Sequence, residues 1–121
     1  MLTLKDFDKV LVSYKRKKDR YVPSIFKDMF GDPCATVTKV RGEIKGVIVS
    51  TGPGIIGWSL CDKKDTFDKA AGLNIALTRA KIAARLSLRD RESFYLKVPV
   101  TLLDEAEAMM DRSELYFKEL E

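Results

Sequence analysis

The sequence predicts an α+β fold: an antiparallel sheet of three to four strands packed on a long central helix, with helices at both termini. Three observations predict it. β-Branched residues concentrate between Cys34 and Cys61, a long and largely apolar helical pattern runs from Asp65 to Arg89, and helical spacing marks both ends of the chain. At 121 residues the chain fits a single domain.

Residues 3–15 read as a helix. Thr3 can cap it with Asp6 three residues on, and Phe7, Val10, Leu11 and Tyr14 share a face at helical spacing. After a basic run, Pro23 and Ser24 open a second short helical piece carrying Ile25, Phe26, Met29 and Phe30, which Gly31 ends. Gly31-Asp32-Pro33 is a turn. Strands follow at Thr36–Val40, Ile44–Ser50 and Ile55–Cys61. A hairpin turn near Gly42 and a second at Gly52-Pro53-Gly54 make the three a meander. In the central helix, Ile75, Ile82 and Leu86 lie on one side and alanines and leucines cover most of the rest. Asn74, Thr78, Lys81, Arg85 and Arg89 form one polar strip. Ser93–Val98 is expected as a fourth strand that Pro99 breaks. Thr101 then caps a last helix, with Asp104 and Glu105 in its first turn, where the helix dipole favours anions.

Hydrophobic residues make up 45% of the chain, enough to build a core, and the net charge is +4. So mild a basic excess is weak support for a nucleic-acid partner taken alone. Histidine is absent, which excludes Ser–His and Cys–His nucleophile pairs and the usual zinc sites. Cys34 and Cys61 stand apart, outside any metal or redox motif, and read as buried small hydrophobes in a reducing compartment. The apolar runs are too short to span a bilayer, so no membrane partner and a cytoplasmic location are expected. Asp62, Asp65 and Asp68 lack the glycine and terminal glutamate of a calcium loop, and no metal or cofactor is expected. No glycine-rich phosphate loop, nucleophile elbow or paired carboxylates occur, and the expectation is a protein that is not an enzyme.

Three places can hold an anion. In the run Lys15-Arg16-Lys17-Lys18-Asp19-Arg20, flanked by Tyr14 and Tyr21, cations suit phosphates and rings suit bases, though a solvated helix end accounts for the same residues. Lys81, Arg85 and Arg89 line up at i,i+4 spacing without interleaved acids, an arrangement that costs a few tenths of a kcal/mol in an isolated helix. Lys63 and Lys64 precede the central helix, whose first amides attract anions. Trp58 is either a core residue or a stacking platform beside that loop. Arg79, between apolar neighbours, is expected to pair with Asp62, Asp65 or Asp68.

The pattern Lys64-Asp65-x-Phe67-x-Lys69-x-x-Gly72-x-x-Ile75-Ala76-Leu77-x-Arg79-Ala80, behind a strand ending at Cys61, resembles one that recurs in small bacteriophage-encoded proteins, many without an assigned function. Those proteins often carry a basic residue after the glycine and a glycine before the arginine; Leu73 and Thr78 stand there instead. The resemblance implies a phage origin and an accessory role. Physically, Phe67 could staple the helix start and Gly72 could admit the sheet closely.

Together these readings lead to a small non-enzymatic phage-type protein, a homodimer through its apolar helix faces, binding nucleic acid through basic surfaces. The alternative is a counter-defence protein that sequesters a small anionic signalling nucleotide, with Trp58 and Arg85 closing a pocket, or that blocks a host protein. A virion or assembly component is a third reading.

Overall fold

The structure is a computed structural model that describes residues 2–27, 31, 33–61 and 67–119. It is an α+β fold of three helices and two antiparallel sheets: β1 (Leu11–Arg16), β2 (Arg20–Lys27), β3 (Pro33–Val40), β4 (Ile44–Gly52), β5 (Ile55–Leu60), α1 (Lys69–Arg85), α2 (Leu88–Tyr95) and α3 (Leu103–Glu119). One sheet has the order β1-β4-β5; the other is the β2-β3 pair alone.

β4 is the centre of the molecule. Val47, Ile48 and Val49 are consecutive and all fully buried, so both faces of the strand are covered. Val47 and Val49 meet Ala76, Leu77 and Ala80 of α1, while Ile48 joins Ile56, Trp58, Val98, Leu102, Ala106 and Met109 on the opposite face. Helix, sheet and helix therefore form three layers. α1 approaches closely because β5 carries Gly57 opposite it: a Cβ there would lie 1.9 Å from the Ala76 carbonyl oxygen and 2.6 Å from the Ala80 nitrogen. Gly72 serves a local contact, since its missing Cβ makes room for the Phe67 ring at the start of α1.

The helix expected over 3–15 is instead a single 3-10 turn, Leu4–Asp6, followed by β1. Thr3 and Asp6 do form the capping box. The alternation Val10, Val12, Tyr14 decided the rest, placing those three on the α1 side of the sheet. The helical piece expected from Pro23 is β2, paired in register with β3 from Arg20↔Val40 to Lys27↔Pro33. Proline is tolerated there because a two-stranded ribbon consists only of edges. The meander is corrected as well. β3 and β4 are not hairpin partners; β4 pairs β1 on one side and β5 on the other. The Gly52-Pro53-Gly54 turn does close β4 onto β5, with Gly54 in the left-handed region at φ 69°.

The long helix ends early. α1 stops at Arg85, and Ser87 starts α2 by accepting the Asp90 N–H. The Arg91 guanidinium donates to the carbonyls of Ala83 and Leu86, neutralising the end of α1. The strand expected at 93–98 is thus the end of α2 and a turn. Phe94 stacks against Trp58 at 5.1 Å between centroids. The Tyr95 hydroxyl donates to the Gly54 carbonyl and accepts the Ile56 N–H, and burial raises its pKa. Buried Ser113 of α3 accepts the Gly54 N–H and donates to Met110, so α2 and α3 both clamp the β4–β5 turn. Among the described residues no helix is long and apolar enough to cross a membrane.

Candidate nucleic-acid interface

β1 with β4, and β2 with β3, form one interrupted ribbon. The β1–β4 ladder ends near Arg16↔Ile44, Lys17 N–H donates to the Glu43 carbonyl at 2.8 Å, and pairing resumes at Arg20↔Val40. At the interruption, residues 17–19 and 41–43 lie side by side. Gly42 is buried there, and a Cβ on it would sit 1.8 Å from the Lys17 carbonyl oxygen. Asp19 fastens the junction by accepting the Gly42 N–H at 2.9 Å and pairing with Lys39 at 3.3 Å. Its carboxyl is held below the usual carboxylate range, first by the Gly42 hydrogen bond and next by that of Lys39, with the charges of Lys39 and Arg41 adding to the effect.

This junction gathers cations from two stretches of sequence. Lys17, Lys18, Arg20 and Arg41 line one cavity of about 190 Å³ together with Gly42 and Glu43. Lys17 reaches Glu43 only at 3.9 Å. Lys18, Arg20 and Arg41 are exposed and form no ion pair with another described residue. The adjoining Tyr21 is 65% exposed.

Part of the expected run is spent internally. The Lys15 ammonium pairs with Glu105 in the first turn of α3. Burial works to raise the Glu105 pKa, but the Lys15 hydrogen bond, a backbone N–H and the charges of Lys15 and Lys45 together lower it. The Arg16 guanidinium donates to the Gly42 carbonyl and so braces the junction. Tyr14 is half-buried, with the Lys69 ammonium 4.9 Å from its ring centroid.

The central strip is split by the helix break: Lys81 and Arg85 belong to α1, Arg89 to α2. All three are exposed and unpaired with any described carboxylate. They lie away from the junction. The Lys69–Tyr14 contact puts the start of α1 at the Tyr14↔Val47 row, and the Gly57 contact puts Ala76 and Ala80 at the Val49↔Gly57 row. α1 therefore runs away from Arg16, and its C-terminal half points toward the β4–β5 turn. Lys63 and Lys64, with Asp62 and Asp65, lie outside the described residues; Asp68 caps α1 by accepting the Ala71 N–H.

Trp58 is a core residue, 3% exposed beneath Phe94, and offers no ring to a base. Arg79 pairs with no described acid. Its guanidinium lies 5.3 Å from the Trp58 ring and donates to the Trp58 carbonyl, sealing the open edge of β5.

Charge is segregated along the chain. Residues 101–121 hold seven of the 18 acidic side chains and two of the 22 basic ones, so residues 1–100 carry twenty cations against eleven acids, a net +9. A second concavity of about 370 Å³ lies between α2, β5 and α3, apolar at Ile56, Val98 and Met110 and edged by Glu107 and Asp111. That face repels a polyanion. Arg41 and Lys39 were missed as site residues because their neighbours in the sequence are turn and strand residues. Only the long-range pairing of β1 with β4 sets them beside Lys17 and Arg20.

No protein-family model, no curated protein and no solved structure matches this chain.

Proposed function

We propose that this protein is a small accessory protein, of the phage type its central motif resembles, that binds nucleic acid through the ribbon junction. Lys17, Lys18, Arg20 and Arg41 contact phosphates and Tyr21 packs on a base or sugar. One observation carries this reading: Lys17, Lys18, Arg20 and Arg41 are brought around a single open cavity in which Glu43 is the one lining acid, outnumbered four to one and reaching Lys17 only at 3.9 Å, while neighbouring Asp19 is engaged by Gly42 and Lys39. The size of the cavity favours a polymer over a sequestered nucleotide. Clefts that bury small ligands run to roughly 300–1,000 Å³, whereas about 190 Å³ with an open mouth suits one or two phosphate groups. Nor does buried Trp58 close a nucleotide pocket.

Fluorescence anisotropy with labelled DNA and RNA oligonucleotides tests the proposal. Neutralising four phosphates gives a log–log salt slope of about −3.6, so affinity falls roughly 150-fold from 50 to 200 mM salt. Undetectable binding of both nucleic acids at about 50 mM salt refutes it.

A further inference from the structure

We infer, resting on the nucleic-acid reading above, that the β2–β3 ribbon is an arm that lies in the major groove of duplex DNA, with the junction cations on the phosphates at its root. Four features support the assignment. The arm is anchored, since it extends the ladder of the central strand β4 and is tied at its base by Asp19 and Arg16. Both of its faces are open in the half nearest the junction: Arg20, Tyr21, Val22 and Pro23 are exposed in succession, as are Val37, Thr38 and Lys39, and successive strand residues point to opposite faces. The two strands contain Arg20, Lys27 and Lys39 and no carboxylate, and Asp28 and Asp32 fall only in the segment that joins them, away from the junction in sequence. Finally, eight paired residues span about 27 Å, and a two-stranded ribbon fits a major groove about 12 Å wide but not a minor groove about 6 Å wide.

Such a ribbon also needs an occupant. Two strands with both faces in water are marginal alone, and Tyr21 and Val37 are each 65% exposed on the same face. Charge selects the occupant. A second arm would set Arg20 and Lys39 against their own copies, whereas groove walls are lined with phosphates that complement them and the groove floor offers thymine methyls to Val37 on the Tyr21 face.

The test compares a 24-base-pair duplex with one of its single strands at equal salt. Three proteins are used: the intact chain, a variant in which residues 23–37 are replaced by Asn-Gly, and the double substitution Tyr21→Ser/Val37→Thr, which keeps the ribbon if the shortened chain fails to fold. The intact chain is expected to prefer duplex at least tenfold. Both variants should lose at least threefold of duplex affinity and retain the salt-dependent remainder supplied by the junction. Equal affinity for single strand, or duplex binding unchanged in both variants, overturns the arm while leaving the junction cations Lys17, Lys18, Arg20 and Arg41 standing. An intact chain that binds neither probe sinks the underlying reading instead. A dimer mass in light scattering that halves on shortening makes a second copy the occupant and also overturns the arm.

Discussion

Gly57→Ala should be a severely damaging single-methyl change at the helix–sheet seam. The added Cβ would sit 1.9 Å from the Ala76 carbonyl oxygen and 2.6 Å from the Ala80 nitrogen, both of them backbone atoms that no rotamer change can move. Relief to beyond 3.0 Å requires α1 to lift off β5 by more than 1.1 Å at that point. The residues beside the contact, Val47, Val49, Ala76, Leu77 and Ala80, are all fully buried, so the lift opens a gap along the whole helix–sheet seam. A gap of 0.5–1 Å already forfeits about a quarter to a half of each dispersion contact. Overpacking usually costs about 1–3 kcal/mol, and a backbone clash belongs at or above the top of that range. The expected loss is about 3 kcal/mol or more, equivalent to roughly 10 °C or more in Tm for a chain of this size. Urea unfolding followed by circular dichroism and by fluorescence of Trp58, the sole tryptophan, measures it. Gly72→Ala is the internal comparison: its Cβ meets the Phe67 ring at 2.4 Å, and a side chain can turn aside. A loss below about 1 kcal/mol at Gly57, or a larger loss at Gly72, refutes the close-approach account.

Three further outcomes follow from the same contacts. Trp58→Ala should cost about 3–5 kcal/mol by emptying the core under Phe94, while Trp58→Phe, if folded, should leave nucleic-acid affinity unchanged, because the ring reaches no ligand; a lost affinity in a folded variant contradicts this. Tyr95→Phe removes the hydroxyl that both donates to Gly54 and accepts from Ile56 and should cost about 1–2 kcal/mol in urea unfolding. The lowered Glu105 pKa supplies stability that is present above its unfolded value near 4.5 and lost as pH falls through its folded value. Glu105→Gln should therefore lower stability at pH 7 by about 1 kcal/mol and flatten the loss below pH 4.5, read from melting curves between pH 3 and 7.

The sequence was legible where a local signal and the tertiary answer agreed. The β-branched run at Val47–Val49, the Gly-Pro-Gly turn and the apolar pattern from Ala70 to Ala83 each appear as expected in β4, the hairpin turn and α1. The N-terminal third was misread because Phe7, Val10, Leu11 and Tyr14 satisfy a helical period while Val10, Val12 and Tyr14 satisfy a strand period. The choice between them is made by β4, which needs a partner more than thirty residues away. Phe94 and Tyr95 look like strand residues for a related reason: they are selected by what they pack on, Trp58 and the β4–β5 turn, and the Ser87 cap then makes their backbone helical. The candidate site was half-legible. Lys17, Lys18, Arg20 and Tyr21 stood out as a run, but nothing local says that Lys15 turns inward to Glu105, that Arg16 braces Gly42 or that Arg41 closes the cluster.

The salt dependence of duplex binding in two charge variants tests the central claim most directly. Lys18→Ala/Arg20→Ala/Arg41→Ala removes three junction cations that pair with no described carboxylate and should reduce the magnitude of the log–log slope by about 2.7. Lys81→Ala/Arg85→Ala alters the far end of the sheet and should leave the slope where it is. A slope that falls with the α1 pair and holds in the junction triple would place the phosphates on the helix and contradict the account.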